Sequence, residues 1–151
     1  MARLNLSTGG ALEITPVGYQ FPGGSENEDD ANWLRVHVEA SFGEQSPAIS
    51  QTAPAFQTWD LSSFVSAALS LRGSGTQATL EGLEPGLKVH IAAIGSSEFK
   101  VTVAAALEFA PELREPFDEP FIFVSRAHQF DVQRFAEELS QELARFPRRN
   151  T

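Results

Sequence analysis

The sequence predicts an α+β fold, a curved, mainly antiparallel sheet of about 7–8 strands with two helices, the second at the C-terminus. The first observation behind this prediction is a period-two alternation of apolar and polar residues, which is typical of half-buried antiparallel strands. The second is a pair of apolar stripes at helical spacing. Because the chain has 151 residues, we expect residues 1–151 to form a single domain.

The strand pattern recurs along most of the chain. In the segment 33–42, every second residue from Leu34 to Phe42 is apolar, and the residues between them are mainly polar. The segments 87–94 and 99–109 alternate in the same way, and the Gly-Ser-Ser between them favours a hairpin. Shorter strands are expected at 2–7, 11–17, 55–59, 76–83 and 120–126.

Both helices are expected to begin at an aspartate. Asp60 and Asp131 are suitable N-caps because a carboxylate accepts the unpaired N–H groups of a first helical turn. An aromatic pair at the spacing of a hydrophobic staple surrounds each aspartate. These pairs are Trp59 with Phe64 and Phe130 with Phe135. Gly73 is the expected end of the first helix, and Pro147 is the expected end of the second.

The charge of the chain favours some partners and excludes others. Its 11 basic and 20 acidic residues give a net charge of −9, and residues 1–60 hold eight of the acids. A phosphate backbone is repelled by this balance, so we expect no direct binding of nucleic acid. The same charge attracts a basic macromolecule, although it also serves solubility alone.

The composition also indicates a compartment. The chain has no cysteine, which excludes disulfides and thiolate metal sites and fits a reducing environment. The N-terminal residues show no signal-peptide pattern, and no apolar run approaches the length of a membrane span. We therefore expect a cytoplasmic protein that does not engage a membrane.

An acidic run between two predicted strands is the first candidate site. It contains Glu26, Glu28, Asp29 and Asp30. A calcium loop that begins at Glu28 would need glycine at its sixth position, where this chain has Trp33. A calcium site is therefore not expected, and two interpretations remain open: a solvated loop or an acidic patch for a partner.

Two aromatic residues flank the acidic run and also have two interpretations. Tyr19 precedes the run in a predicted turn, and Trp33 follows it on the polar face of a strand. They either pack under the loop as a small core or form an aromatic anchor beside the acids. The second interpretation rests on the frequency of tyrosine and tryptophan as hot spots of protein interfaces, and both remain open.

Catalytic patterns are weak. His37 and His90 lie on the polar faces of predicted strands, so they are possible neighbours across a sheet, and with Glu39 they form a candidate hydrolase or metal site. His128 lies apart, before the last helix. No nucleophile elbow or Walker motif is present, and the Gly-rich stretch 73–78 follows a helix rather than opening one. We expect no catalytic residue, no metal and no cofactor.

Several short segments, in order along the chain, resemble the WapI-type immunity proteins of bacterial polymorphic-toxin systems. The segments are Gly18-Tyr19-Gln20-Phe21-Pro22, Asp30-Ala31-Asn32-Trp33-Leu34, Thr58-Trp59-Asp60-Leu61, Leu83-Glu84-Pro85-Gly86-Leu87 and Leu143-Ala144-Arg145-Phe146-Pro147-Arg148. The resemblance covers nearly the whole chain. It implies a non-enzymatic protein that binds a cognate toxin domain in the producing cell and neutralises it.

The resemblance supplies no site residues, so the expected binding surface comes from the acidic run and its aromatic neighbours. The resemblance implies toxins that include RNA-cleaving domains, and the basic groove of such a toxin would be complementary to an acidic surface. The expected partner-binding residues are Glu26, Glu28, Asp29, Asp30, Tyr19 and Trp33. The alternatives are a small-ligand-binding domain with a cavity among its strand faces, a hydrolase around the histidines, and a scaffold protein with an exposed apolar patch.

Overall fold

The computed structural model describes residues 1–44, 48–72, 75–112 and 115–150. Within these ranges the chain forms eight strands and three α-helices. The α+β fold, the antiparallel strands and the helix at the C-terminus are confirmed, but the strands are divided between two four-stranded sheets. The longer helices complete the core, and no helix of the described ranges is both long and apolar enough to cross a membrane.

The first sheet contains the four strands that come first in the chain, each paired with the next. They are β1 (Ala2–Asn5), β2 (Ala11–Tyr19), β3 (Trp33–Ser41) and β4 (Ile49–Gln57). The alternation predicted for β3 is confirmed, because its even-numbered residues from Leu34 to Ala40 are buried. The strand predicted over 55–59 is wrong at both ends: it begins at Ile49 and gives way to a helix at Thr58.

The second sheet has the same simple order. Its strands are β5 (Gln77–Glu81), β6 (Leu87–Ala93), β7 (Glu98–Ala105) and β8 (Phe121–His128). The predicted β6–β7 hairpin is confirmed by their antiparallel pairing. The strand predicted over 99–109 is too long, because the chain turns into a short 3-10 helix, Leu107–Phe109, that buries Phe109.

The helices are α1 (Glu28–Ala31), α2 (Thr58–Leu69) and α3 (Gln129–Leu143). The N-cap predictions are wrong by three residues, since α2 starts after Gln57 and α3 after His128. Asp60 instead reaches back from the first turn of α2 and accepts the Gln57 N–H at 2.8 Å, as the second half of a capping box does.

The ends and staples of the helices also differ from the predictions. Phe130 is 66% exposed, so it does not form the predicted staple with Phe135. Helix α2 ends at Leu69, and the predicted terminator Gly73 lies outside the described residues. Helix α3 ends at Leu143, four residues before Pro147.

One hydrophobic cluster joins both sheets and the two longer helices. Helices α2 and α3 pack on each other, with the rings of Phe64 and Phe135 6.2 Å apart. Phe42, which follows β3, stacks on Phe123 of β8 with ring centroids 4.3 Å apart. The first ring contact joins α2 to α3, and the second joins the first sheet to the second.

The turn between β1 and β2 approaches β3 so closely that only glycine fits at position 10. A Cβ on Gly10 would lie 1.9 Å from the carbonyl oxygen of Ser41, a backbone atom that cannot yield as a flexible side chain does. Gly18, near the other end of β2, would have no heavy atom within 4 Å of an added Cβ.

We therefore expect Gly10→Ala to lower the free energy of unfolding by about 1–3 kcal/mol, the usual cost of forcing extra volume into a packed site. Gly18→Ala is the matched control and should change it by less than about 0.5 kcal/mol. Urea denaturation of both variants measures the difference. Equal effects of the two substitutions would contradict the close approach at Gly10.

Candidate functional site

The acidic run folds into the single turn of α1. The side-chain oxygen of Asn27 accepts the N–H groups of Asp29 at 2.8 Å and Asp30 at 3.4 Å, so Asn27 is the N-cap. Acids in a first helical turn lie next to unpaired N–H groups, which stabilises their negative charge. This run was predicted to be a loop, although Asn27 followed by three acids is a recognisable helix start.

Asn32 is the anchor of this region. It is fully buried, and its side-chain N–H₂ donates to the carbonyl oxygens of Glu28 and Arg149, both at 2.8 Å. Its side-chain oxygen accepts the Arg149 N–H at 2.7 Å, and its carbonyl oxygen accepts the Thr58 N–H at 3.0 Å. Asn32 therefore connects the end of α1, the start of α2 and the chain that follows α3.

Residues 146–149, here called the strap, run across the end of α1. The guanidinium of Arg149 donates to the carbonyl oxygens of Ala31, Phe21 and Pro22, the last two at 2.8 and 3.1 Å. Arg148 pairs with the Glu28 carboxylate at 2.7 Å, which neutralises that acid. The strap thus fixes both the backbone and part of the charge of the acidic run.

Tyr19 was predicted to lie in a turn, but it is the last residue of β2 and contacts the strap. Its O–H donates to the Pro147 carbonyl oxygen at 2.5 Å, and the Arg149 guanidinium lies 3.6 Å from the centre of its ring. The ring also makes an edge contact with Phe146, with centroids 5.7 Å apart. This packing corresponds to the small core considered in the sequence analysis.

Trp33 and Asp30 line a surface depression of about 270 Å³, here called the acidic depression. Its other lining residues are Gln20, Phe21, Pro54, Glu84 and Glu108. The lining therefore contains three carboxylates and an indole ring, and none of its residues is basic. The depression joins the residues before β3 to the loop before β6 and to the 3-10 helix.

Gln20 adds an unusual polar group to the acidic depression. Its side-chain oxygen is buried and has no hydrogen-bond partner among the described residues. A buried acceptor without a partner is uncommon in folded proteins.

The residues of the predicted site are therefore divided between two neighbouring places. Asp30 and Trp33 line the acidic depression, Glu26 and Asp29 are exposed beside it, and Glu28 and Tyr19 contact the strap. Glu84 and Glu108 were missed because they come from loops far along the chain. In the sequence, Glu84 belongs to the Leu-Glu-Pro-Gly segment, which does not indicate that Glu84 lines the same depression as Trp33.

The predicted proximity of His37 and His90 is wrong. His37 lies in the first sheet and bonds to Thr52 at 2.7 Å, whereas His90 lies in the second sheet and bonds to Thr79 at 2.8 Å. The two strands alternate as predicted, but they belong to different sheets. Among the described residues, no three acids or histidines are placed to hold a metal ion.

The small-ligand alternative requires a cavity among the strand faces, but aromatic side chains fill this space. Phe42, Phe99 and Phe123 are all buried, and the first and third stack on each other. Their rings occupy the space between the strand faces where a ligand would lie.

The chain has a single tyrosine, so the contact between Tyr19 and the strap can be measured directly. Burial raises the pKa of the Tyr19 phenol above its ordinary value of 10.0, and the Arg149 charge opposes this only in part. We expect the phenolate absorbance of the native protein to appear above pH 10 and to return to about pH 10 in urea.

This pKa shift also has a consequence for stability. As the pH rises through 10, the unfolded chain releases the phenol proton first, so the free energy of unfolding should fall. Tyr19→Phe should weaken that dependence. A native titration at or below pH 10 would contradict the burial of Tyr19 by the strap.

A comparison with protein families matches residues 3–147 to a family described as the immunity protein WapI-like family. A search of the curated proteins and a search of the solved structures found no match. The family match spans β1 to the first residues of the strap, including the acidic run and every residue that lines the acidic depression. The chain therefore belongs to the WapI-like immunity protein family.

Proposed function

We propose that this protein is a non-enzymatic immunity protein that binds a cognate toxin domain and neutralises it in the cytoplasm of the producing cell. Family membership supports the immunity role. The observation that carries the proposed binding mode is the acidic depression, which is lined by Asp30, Glu84 and Glu108 together with Trp33. This arrangement suits a cationic side chain of a protein partner.

The chemistry of the depression favours arginine or lysine as the group that enters it. A cation over an indole ring is attracted by about 0.5–1 kcal/mol at an exposed site, and more when water is excluded. The carboxylates of Asp30, Glu84 and Glu108 supply charge-assisted hydrogen bonds to such a cation. A toxin that cleaves RNA carries such basic side chains where it binds phosphate.

The six residues of the proposed surface have two roles. Glu26, Asp29, Asp30 and Trp33 face the partner, since the first two are exposed and the others line the depression. Glu28 and Tyr19 act through the strap, which holds α1 in one conformation. A surface that is rigid before binding loses less conformational entropy on association.

The net charge of −9 makes the toxin itself, rather than its nucleic-acid substrate, the partner in this proposal. Occupying the toxin's basic groove would block the substrate without any chemical step by the immunity protein. Charge attraction would mainly raise the association rate and select basic partners. Neither a cofactor nor a membrane has a role in this mechanism.

The test requires a cognate toxin domain, for which we would first search the genes adjacent to this one, and uses it in a catalytically inactivated form. We expect the triple variant Asp30→Asn, Glu84→Gln, Glu108→Gln to lower the association rate at low salt by about tenfold or more, because steering depends on local charge. The control triple Glu44→Gln, Glu112→Gln, Glu137→Gln removes the same charge from exposed positions elsewhere. Glu28 is left unchanged because its substitution would release Arg148.

Two results distinguish a failure of the immunity function from a failure of the proposed contact site. Failure of the wild-type protein to bind the toxin, and to restore growth when the two are co-expressed, would overturn the immunity function with this toxin. Binding that both triple variants reduce equally would keep the immunity function but remove the acidic depression as its contact site.

A further inference from the structure

The outer face of the second sheet presents exposed apolar side chains to solvent. Ile122 and Val124 of β8 point outward and are 57% and 58% exposed. They lie opposite Ala104 and Thr102 of β7, so the apolar groups form one continuous patch. The middle of β3 on the first sheet presents Arg35, His37 and Glu39 outward instead.

A depression of about 390 Å³ lies within this patch. It is lined by Lys88, His90, Thr102, Ala104 and Ile122. The outward positions of β5–β8 carry three bases, Lys88, Lys100 and Arg126, against two acids, Glu81 and Glu98. This face is therefore weakly positive on a protein whose net charge is −9.

Next to this face, the chain presents an aromatic ring to solvent. Phe117 is 99% exposed, the highest exposure among the large apolar side chains of the described residues. It sits in a tight turn in which the Asp118 N–H donates to the Glu115 carbonyl oxygen at 3.0 Å. The Asp118 carboxylate accepts the Glu115 N–H at 3.2 Å, which closes the turn from the other side.

The turn is preorganised and acidic. Pro116 comes directly before Phe117, at the turn position that proline favours, and so restricts the backbone that carries the ring. Residues 115–120 contain three acids and no base. The acidic turn is thus opposite in charge to the weakly positive outer face of the second sheet.

We propose that two copies of this chain form a closed, two-fold symmetric dimer in which Phe117 of each copy occupies the depression of the other, at Ala104 and Ile122. The turn and the depression lie at the same end of β8, because residues 115–120 lead directly into Phe121. One two-fold axis therefore allows both contacts to form at once. Such an isologous contact closes at two copies and does not grow further.

Charge complementarity is the reason for naming a second copy as the occupant. In the proposed dimer, the acidic turn of one copy meets the weakly positive outer sheet face of the other, with Glu119 near Lys100. Lys88 and Arg126 already have carboxylates at 3.8 and 3.5 Å, whereas Lys100 has none within ion-pair distance among the described residues. Because these charges are exposed, added salt should weaken the dimer.

Sedimentation velocity of the whole purified chain over a range of concentrations tests the proposal. We expect a reversible monomer–dimer equilibrium, and Phe117→Ser should weaken it about tenfold or more through the loss of one buried ring per copy. Phe130→Ser is the matched control, because Phe130 is also exposed but lies on the first turn of α3. It should leave the equilibrium unchanged.

A charge exchange tests the register of the contact. Lys100→Glu and Glu119→Lys should each weaken the dimer, and the double variant should restore it at least in part. All these side chains are exposed, so the variants should remain folded.

A monomer at every concentration, species larger than a dimer, an equal loss in Phe130→Ser, or no rescue in the double variant would each overturn the proposal.

Discussion

The contact between Asn32 and the strap is the constraint on which the acidic end of the molecule depends. A one-turn helix such as α1 is too short to be stable from its own hydrogen bonds, because helix nucleation is unfavourable. Its conformation comes from outside, through the buried side chain of Asn32 and the guanidinium of Arg149. Removing either partner would leave buried polar groups unsatisfied, at about 1–3 kcal/mol each.

This constraint explains how a charged surface is kept in one shape. Carboxylates close together repel one another and would favour an open, solvated loop. Here Arg148 neutralises Glu28 and Arg149 binds the carbonyl groups at the end of α1, so the repulsion is offset without cancelling the exposed charges of Glu26 and Asp29. The acidic depression then extends this surface to Glu84 and Glu108 on other loops. The apolar face of β7 and β8 lies on the other sheet, so the proposed contacts with a toxin and with a second copy use different strands.

The strands could be predicted where apolar residues on one face alternate clearly with polar residues on the other, as in β3, β6 and β7. The strand β4 was only partly found, because Ser50, Gln51 and Thr52 alternate weakly and Pro54 is unusual in a strand. The helix starts were misplaced because an aspartate serves as an N-cap or, three residues later, as the returning half of a capping box, and local sequence fits both.

The candidate site was less predictable than the fold. Asp30 and Trp33 were identified from their clustering, but Glu84 and Glu108 join them only through tertiary structure. Arg148 and Arg149 had the ordinary appearance of cations at the end of a helix, which concealed their contacts with Glu28, Phe21 and Ala31. Pairings between residues more than a hundred positions apart leave no local signal in one sequence.

The most direct test of this account is hydrogen exchange at the amides of Ala31 and Asn32, which donate to Asn27 and Asp29 within and just after α1. We predict that Arg149→Ala speeds their exchange by about tenfold or more, because each 1.4 kcal/mol of lost stability is a factor of ten. The amides in the middle of β3 should keep their protection. Arg134→Ala, which removes a surface ion pair on α3, should change neither set. Unchanged exchange at Ala31 and Asn32 in Arg149→Ala would contradict the claim that the strap holds the acidic surface in place.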